Sequence, residues 1–174
     1  MSPRVRKAVL TTHIATSVGW LGAVAVYIGL DVTAVTSSDV ELVRVAYLAM
    51  EMITYTAVVP LALAAVLIGI INALGTPWGL FRHYWVLTKL LLTLLAATVL
   101  LIETRTISQL ADAALRVSDP RDQPGTLPHS IGGFIVLLTA TILSVYKPRG
   151  VTRYGWHQQQ KQRLNPMPDP TATP

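Results

Sequence analysis

The stretch VAYLAMEMITYTAVVPLALAAVLIGIINAL, residues 45–74, decides the fold class of this chain. Glu51 is its single charged residue. Because a helix needs about 20 apolar residues to cross the hydrocarbon of a bilayer, this stretch predicts a transmembrane helix. Pro60 lies inside it, and since proline removes a backbone donor we expect the helix to be tilted or bent.

Three more apolar stretches also predict transmembrane helices, at residues 8–30, 84–102 and 128–146. The chain is 52% hydrophobic and 13% charged, with a mean hydropathy of +0.49, whereas soluble domains carry roughly 25% charged residues. The first stretch resembles a signal peptide ending near Ala25, but it continues to Leu30, so we expect it to span instead. The sequence therefore predicts an all-α integral membrane four-helix bundle, with a single transmembrane domain over residues 1–150.

The distribution of basic residues predicts the orientation, because cytoplasmic loops collect lysine and arginine. Basic residues precede the first span and follow the fourth: Arg4, Arg6, Lys7, Lys147, Arg149, Arg153, Lys161 and Arg163. The connections after spans one and three mix basic with acidic residues. We therefore expect both termini in the cytoplasm (N-in/C-in) and a bacterial-type plasma membrane. Residues 151–174 would form a basic cytoplasmic tail, partly disordered after Leu164.

The outer connection between spans three and four contains apolar residues at helical spacing. They are Ile107, Leu110, Ala111, Ala114 and Leu115. This spacing predicts a short amphipathic helix that continues beyond the membrane and ends before Asp119-Pro120.

Ionisable residues inside spans are candidates for function, because burying them in a membrane is costly. His13 and Lys89 fall at the same depth, since their helices start on the same side, and aromatic residues accompany them. The predicted cofactor-binding set near the cytoplasmic side is His13, Trp20, His83, Trp85 and Lys89. A structural hydrogen bond of His13, or a Lys89 side chain that reaches the interface, is the alternative interpretation.

A second polar group is predicted toward the outer side, with Asp31, Glu51, Tyr55 and His129 as its members. Asp31 and His129 lie at the outer ends of their helices, and Glu51 should be hydrogen-bonded if it is buried. His129 also suits the start of a helix, next to Pro128.

Several kinds of chemistry have no support in the sequence. There are no cysteines, which excludes disulfides and thiolate ligands, and no metal site is predicted. No phosphate-binding or hydrolase motif occurs. The net charge of +5 does not indicate nucleic acid, because the basic residues lie beside apolar runs. These features favour a protein that is not an enzyme.

Two segments resemble known families. The run THIATSVGWLG, residues 12–22, resembles the opening helix of small bacterial membrane proteins of the copper-resistance D type and the membrane protoporphyrinogen oxidase type. The run YWVLTKLLL, residues 84–92, is similar to a helix of the oxidase type. Together they cover less than a quarter of the chain, which is more broadly similar to uncharacterised actinobacterial-type integral membrane proteins. The oxidase resemblance implies haem b near His13, with Lys89 near the propionates.

Three functions follow as hypotheses. The first is binding of haem or another anionic hydrophobic ligand near the cytoplasmic side. The second is a non-catalytic accessory or scaffolding role, in which the helices bind other membrane proteins or a second copy of the chain. The third is a small transporter or proton-conducting module that uses Glu51 and the histidines. In each case the lipid bilayer is the surrounding partner.

Overall fold

The computed structural model describes residues 2–75, 83–146, 150 and 152–164. Within them it has six α-helices: α1 (Pro3–Thr36), α2 (Val40–Ile53), α3 (Val59–Leu74), α4 (Tyr84–Arg116), α5 (Leu127–Tyr146) and α6 (Arg153–Leu164). A π-helical turn (Thr54–Val58) joins α2 to α3 without a break, and a 3-10 turn (Pro120–Asp122) lies between α4 and α5.

In the described part of the chain, four helices are long and apolar enough to cross a membrane: α1, the continuous Val40–Leu74 helix, α4 and α5. Only 11–22% of the residues in their most apolar windows are buried inside the protein. Large apolar side chains such as Val18, Leu67, Leu95 and Ile135 point outward instead, and water would disfavour so much exposed apolar surface. The prediction of four apolar spans in an all-α chain is confirmed. The architecture is compatible with a multi-pass membrane protein.

The four helices form an up-and-down bundle in which consecutive helices are neighbours. The α2–α3 helix packs against α1 on one side and α4 on the other, and α5 also packs between α1 and α4. The last helix thus closes the ring. We call the end that holds Pro3, Leu74, Tyr84 and Tyr146 the terminal end, and the opposite end the loop end.

A stripe of buried residues on α1 follows from helical geometry, since residues three and four apart share a face. It consists of Trp20, Val24, Tyr27, Asp31 and Ala34. Asp31 is the only member with a carboxyl group, and its exposed fraction is 0%. The most buried face of the first helix therefore carries an acidic group toward the loop end.

The helices differ in length, so the loop end extends beyond the thickness of hydrocarbon that α5 would span. At 1.5 Å per residue, α5 is about 30 Å long and α1 about 51 Å, against a hydrocarbon core of about 30 Å. Asp31 and Tyr27 meet the start of α5, so the parts of α1, α2 and α4 beyond them extend past it. A core that includes Val43, Tyr47 and Ile107 holds this extension together.

The apolar series predicted for the outer connection lies in the last turns of α4. Ile107, Leu110, Ala111 and Ala114 are buried, whereas Leu115 is exposed. The series is thus part of a helix that is continuous from Tyr84, and it packs against α2 in the extension.

Arg44 of α2 closes the end of α4. Its guanidinium donates hydrogen bonds to the carbonyl oxygens of Ala114, Val117 and Ser118. The last carbonyls of a helix have no partner within the helix, and a cation there also complements the helix dipole.

The connection after α4 is held at the surface by a second arginine. Arg121 Nε donates to Asp119 Oδ1 over 2.9 Å, and Arg121 Nη1 donates to the carbonyl oxygen of Ser38 over 3.2 Å. The side-chain hydrogen bonds that Arg121 donates to Asp119 lower the pKa of Asp119 to about 2. The connection is thereby joined to the turn between α1 and α2.

The bend expected at Pro60 takes the form of the π-helical turn immediately before it. Val59 N–H bonds to the carbonyl of Thr54, five residues earlier. Proline cannot donate to a carbonyl four residues back, and its ring crowds that carbonyl, which accounts for a widened turn at this place. The turn buries Thr54 and Val58.

The chain beyond α5 contains one more helix within the described residues. Thr152 precedes α6, and its hydroxyl accepts a hydrogen bond from Gly155 N–H over 3.1 Å, as is typical of a helix N-cap. The part of the tail predicted to be disordered, after Leu164, lies outside the described residues.

Candidate functional site

The terminal half of the bundle contains a cavity that we call the terminal cavity, with a volume of about 120 Å³. Four of the residues predicted as a cofactor-binding set line it, namely His13 and Trp20 of α1 and Trp85 and Lys89 of α4. Polar side chains from the other two spans, including Asn72 and Ser144, complete the lining.

His13 is held by a close approach between α1 and α3. A Cβ atom at Gly69 would lie 2.8 Å from His13 Cε1, so a larger residue here would force this ring to shift. His13 Nδ1 is buried and has no hydrogen-bond partner among the described residues. Buried polar atoms are normally hydrogen-bonded, which makes this nitrogen a candidate contact for a ligand or a water molecule.

Lys89 brings a positive charge to the same cavity. Its Nζ lies 5.6 Å from the centroid of the Trp85 ring, within the distance at which a cation is attracted to an aromatic face. Thr93, one turn further along α4, also lines the cavity. The Thr93 hydroxyl donates to the carbonyl of Lys89 or Leu90, so its oxygen can still accept a hydrogen bond.

His83, the fifth predicted member, occupies a different place. It lies directly before α4, half-buried, and is not among the described residues that line the terminal cavity. The short connection at 76–82 precedes it, outside the described residues.

The loop end contains the most buried carboxyl group, that of Asp31. Oδ1 accepts from the backbone N–H of Thr126 over 3.2 Å, and Oδ2 accepts from the hydroxyls of Thr126 over 2.8 Å and Ser130 over 3.2 Å. Because the Thr126 hydroxyl has one hydrogen and gives it to Asp31, the Tyr27 hydroxyl donates to Thr126 over 2.7 Å. Asp31 therefore attaches α1 to the first turn of α5.

Gly125 makes this attachment sterically possible. A Cβ atom at this position would overlap Cγ1 of Val35 and lie 3.2 Å from Asp31 Oδ1. Only a residue without a side chain lets the connection approach α1 closely enough for Thr126 to reach Asp31.

The other predicted members of the outer group are distributed over the loop end. The Tyr55 hydroxyl is 3.1 Å from the Ser108 hydroxyl of α4, and its side chain is half-exposed. Glu51 is half-buried on α2. His129 directly precedes Ser130 in α5, and its Nε2 lies 3.8 Å from Oε1 of Glu103 on α4.

Several residues of both places were not predicted. Thr126 and Ser130 have a weak signal in sequence, because hydroxyl residues are common where a helix begins. Asn72 is an amide within an otherwise apolar span, which is a stronger signal. Glu103 appears in the sequence as one of several acidic residues in a connection, and only the continuous helix α4 places it beside His129.

The geometry restricts which known ligands the site can hold. No group of three metal-ligating side chains occurs within the described residues. The terminal cavity is smaller than the roughly 300 Å³ at which cavities for organic ligands begin, and the His13 ring lies against the backbone at Gly69. The haem implied by the resemblance does not fit this cavity as the residues stand.

Comparison of the chain with protein family models, with curated proteins and with solved structures found no match. The four apolar helices are compatible with a multi-pass membrane protein. The function has to be inferred from the site itself.

Proposed function

We propose that this is a ligand-binding protein of the bacterial-type plasma membrane, with both termini in the cytoplasm. Its terminal cavity binds the negatively charged group of a hydrophobic molecule. The placement of Lys89, Trp85 and His13 around one cavity is the observation that carries the proposal.

The charge of Lys89 supports an anionic partner. A cation within the apolar part of a membrane protein is costly and usually serves a substrate or a counter-ion. The face of Trp85 offsets part of this cost. A carboxylate or phosphate would add a charge-assisted hydrogen bond, which is stronger than one between neutral groups.

The size of the cavity restricts what enters it. One water molecule takes about 30 Å³ of liquid volume, so a cavity of about 120 Å³ holds a few small groups. That volume suits a carboxylate or phosphate head, with the rest of the molecule outside the cavity. Lipid surrounds the bundle, and the apolar part would lie there.

The proposal is tested with a fatty acid as the probe. Stearic acid with a nitroxide near its carboxylate, and its methyl ester, are added to the protein in phosphatidylcholine nanodiscs. Trp85 is kept as the single tryptophan by Trp20→Phe, Trp78→Phe and Trp156→Phe. We expect the acid to quench Trp85 fluorescence saturably, and the ester to bind at least about tenfold more weakly, because a charged hydrogen bond contributes about 1.5–3 kcal/mol.

Lys89→Met should weaken binding of the acid by about tenfold and leave the ester unchanged. Lys7→Met is the matched control, since Lys7 lies exposed near the start of α1. It should change the binding of neither probe. Equal binding of acid and ester, or an acid affinity that Lys89→Met does not alter, would overturn the proposal.

The orientation is tested by cysteine labelling, because the chain has no cysteine of its own. Asp122→Cys at the exposed loop end and Arg4→Cys at the exposed terminal end are each treated with a membrane-impermeant maleimide. We expect Asp122→Cys to react in intact cells, and Arg4→Cys to react only after lysis. The reverse pattern would place the termini outside.

A further inference from the structure

A second cavity lies between α4 and α5, nearer the loop end, and we call it the loop-end groove. Its volume is about 320 Å³. Apolar side chains from four elements form nearly all of it, among them Val24 of α1, Val58 of the π turn, Leu100 of α4 and Val136 of α5. The volume falls in the range of cavities that take small organic ligands, about 300–1,000 Å³.

Two consecutive glycines on α5 border the groove. A Cβ atom at Gly132 or Gly133 would have nothing within 4 Å. Glycines at helix contacts usually make room for a neighbouring group, as Gly69 does for the His13 ring. At Gly132 and Gly133 the missing side chains leave open volume instead, which widens the groove.

Polar groups occur at one end of the groove. Glu103 Oε1 and His129 Nε2 are 3.8 Å apart and both residues line it. The side chain of Glu103 is 19% exposed, so its carboxyl group is largely withdrawn from the surface. Thr126 and Ser130 lie nearby, but their hydroxyls already donate within the protein, Thr126 to Asp31 and Ser130 to Asp31 or the carbonyl oxygen of Leu127. The polar end therefore offers mainly the acceptor oxygens of Glu103.

We propose that the loop-end groove binds a single-chain amphiphile whose head donates hydrogen bonds, an alcohol or an amine. The apolar chain lies along Gly132 and Gly133, and the head lies against Glu103 and His129. An anionic head is disfavoured, because it would meet the carboxyl group of Glu103. The groove thus selects for the opposite kind of head from the terminal cavity, and it does not depend on that cavity binding anything.

Trp20 is a natural reporter, because it lines the groove on α1. Undecanol, undecylamine and undecanoate, each with bromine on the far end of the chain, are added to protein in phosphatidylcholine nanodiscs. Trp78→Phe, Trp85→Phe and Trp156→Phe leave Trp20 as the single tryptophan, and Lys89→Met removes the cation of the terminal cavity, which Trp20 also lines. We expect saturable quenching by the alcohol and the amine, and binding of the carboxylate at least about tenfold weaker, a difference of about 1.4 kcal/mol.

Two variants test the location. Gly133→Leu fills the groove and should abolish saturable quenching by both donor probes. The matched control is Gly22→Leu on α1, where a Cβ atom also meets nothing within 4 Å but the position is exposed and outside the groove lining. This control should bind all probes as the parent protein does. Unchanged binding in Gly133→Leu, with the helical content of the parent, would overturn the proposal.

Glu103→Gln identifies the head group. It should weaken binding of the amine about tenfold and binding of the alcohol by less than about threefold, because an amide oxygen still accepts a hydrogen bond but carries no charge. If the carboxylate probe binds as well as the alcohol in the parent protein, the groove has no preference for donors and the proposal fails. Because Trp85 reports on the terminal cavity in the other experiment, the two proposals can fail separately.

Discussion

Replacement of Asp31 by alanine should destabilise the protein by about 3 kcal/mol or more, since each buried donor left without an acceptor costs about 1–3 kcal/mol. The change removes the acceptor of the Thr126 N–H and of the Thr126 hydroxyl, and one of two acceptors of the Ser130 hydroxyl, which keeps the carbonyl oxygen of Leu127. It also opens a cavity at a fully buried position. Reversible unfolding in mixed micelles with increasing dodecyl sulfate, followed by circular dichroism, measures the loss.

The stability of Asp31→Asn should lie between that of the parent and that of Asp31→Ala, because the amide keeps one acceptor oxygen but turns donors toward Thr126. Asp112→Ala is the matched control, with a side chain 69% exposed and 3.9 Å from Arg116. Such surface pairs contribute about 0–1 kcal/mol. Amide exchange at residues 126–130 should rise in Asp31→Ala alone. A loss no larger than that of Asp112→Ala would contradict the structural role of Asp31.

Replacement of Arg44 by methionine has the second largest expected effect, a loss of about 2–3 kcal/mol, since hydrogen bonds to charged groups contribute about 1.5–3 kcal/mol. The variant leaves the carbonyls of Ala114, Val117 and Ser118 without the guanidinium. The side chain of Arg44 is 20% exposed, so water replaces it poorly. We expect the last turn of α4 to fray, which hydrogen exchange at residues 113–118 would show.

Arg44→Lys should recover only part of the stability. The ammonium group has a single nitrogen, and it cannot reach three carbonyls as a planar guanidinium does. Arg116→Met provides the comparison at an arginine whose side chain is 80% exposed, and its effect should stay within about 1 kcal/mol. If Arg116→Met and Arg44→Met lower the stability by the same amount, Arg44 does not stabilise the protein by capping α4.

The axial positions of residues were predictable, because a helix advances by a fixed rise per residue. Counting from the helix starts places His13 and Lys89 at one depth, and in the structure both line the terminal cavity. The four apolar spans could be predicted in the same way, from length and composition. Pro60 also predicts a local distortion of the helix. That the distortion is a π turn depends on which donors the neighbouring carbonyls bond.

Lateral neighbours were harder to predict, because they depend on which faces of different helices pack together. Asp31 and Glu51 have similar sequence signals, yet Asp31 is fully buried and Glu51 half-buried. The difference comes from Thr126 and Ser130, which reach α1 only because Gly125 allows a close approach. The pairing of Glu103 with His129 likewise requires α4 to continue past the predicted end of its span.

The hydrogen bonds between Asp31 and the start of α5 also have a consequence for the order of assembly. A ribosome synthesises α1 first and α5 last among the four spans, so Asp31 is made well before Thr126 and Ser130 exist. Until the final span is inserted, its carboxyl group has none of the donors that it bonds in the finished protein. The first helix therefore reaches its stable state only when the last one is in place, and a chain truncated before α5 is left with an acidic group that lacks these donors.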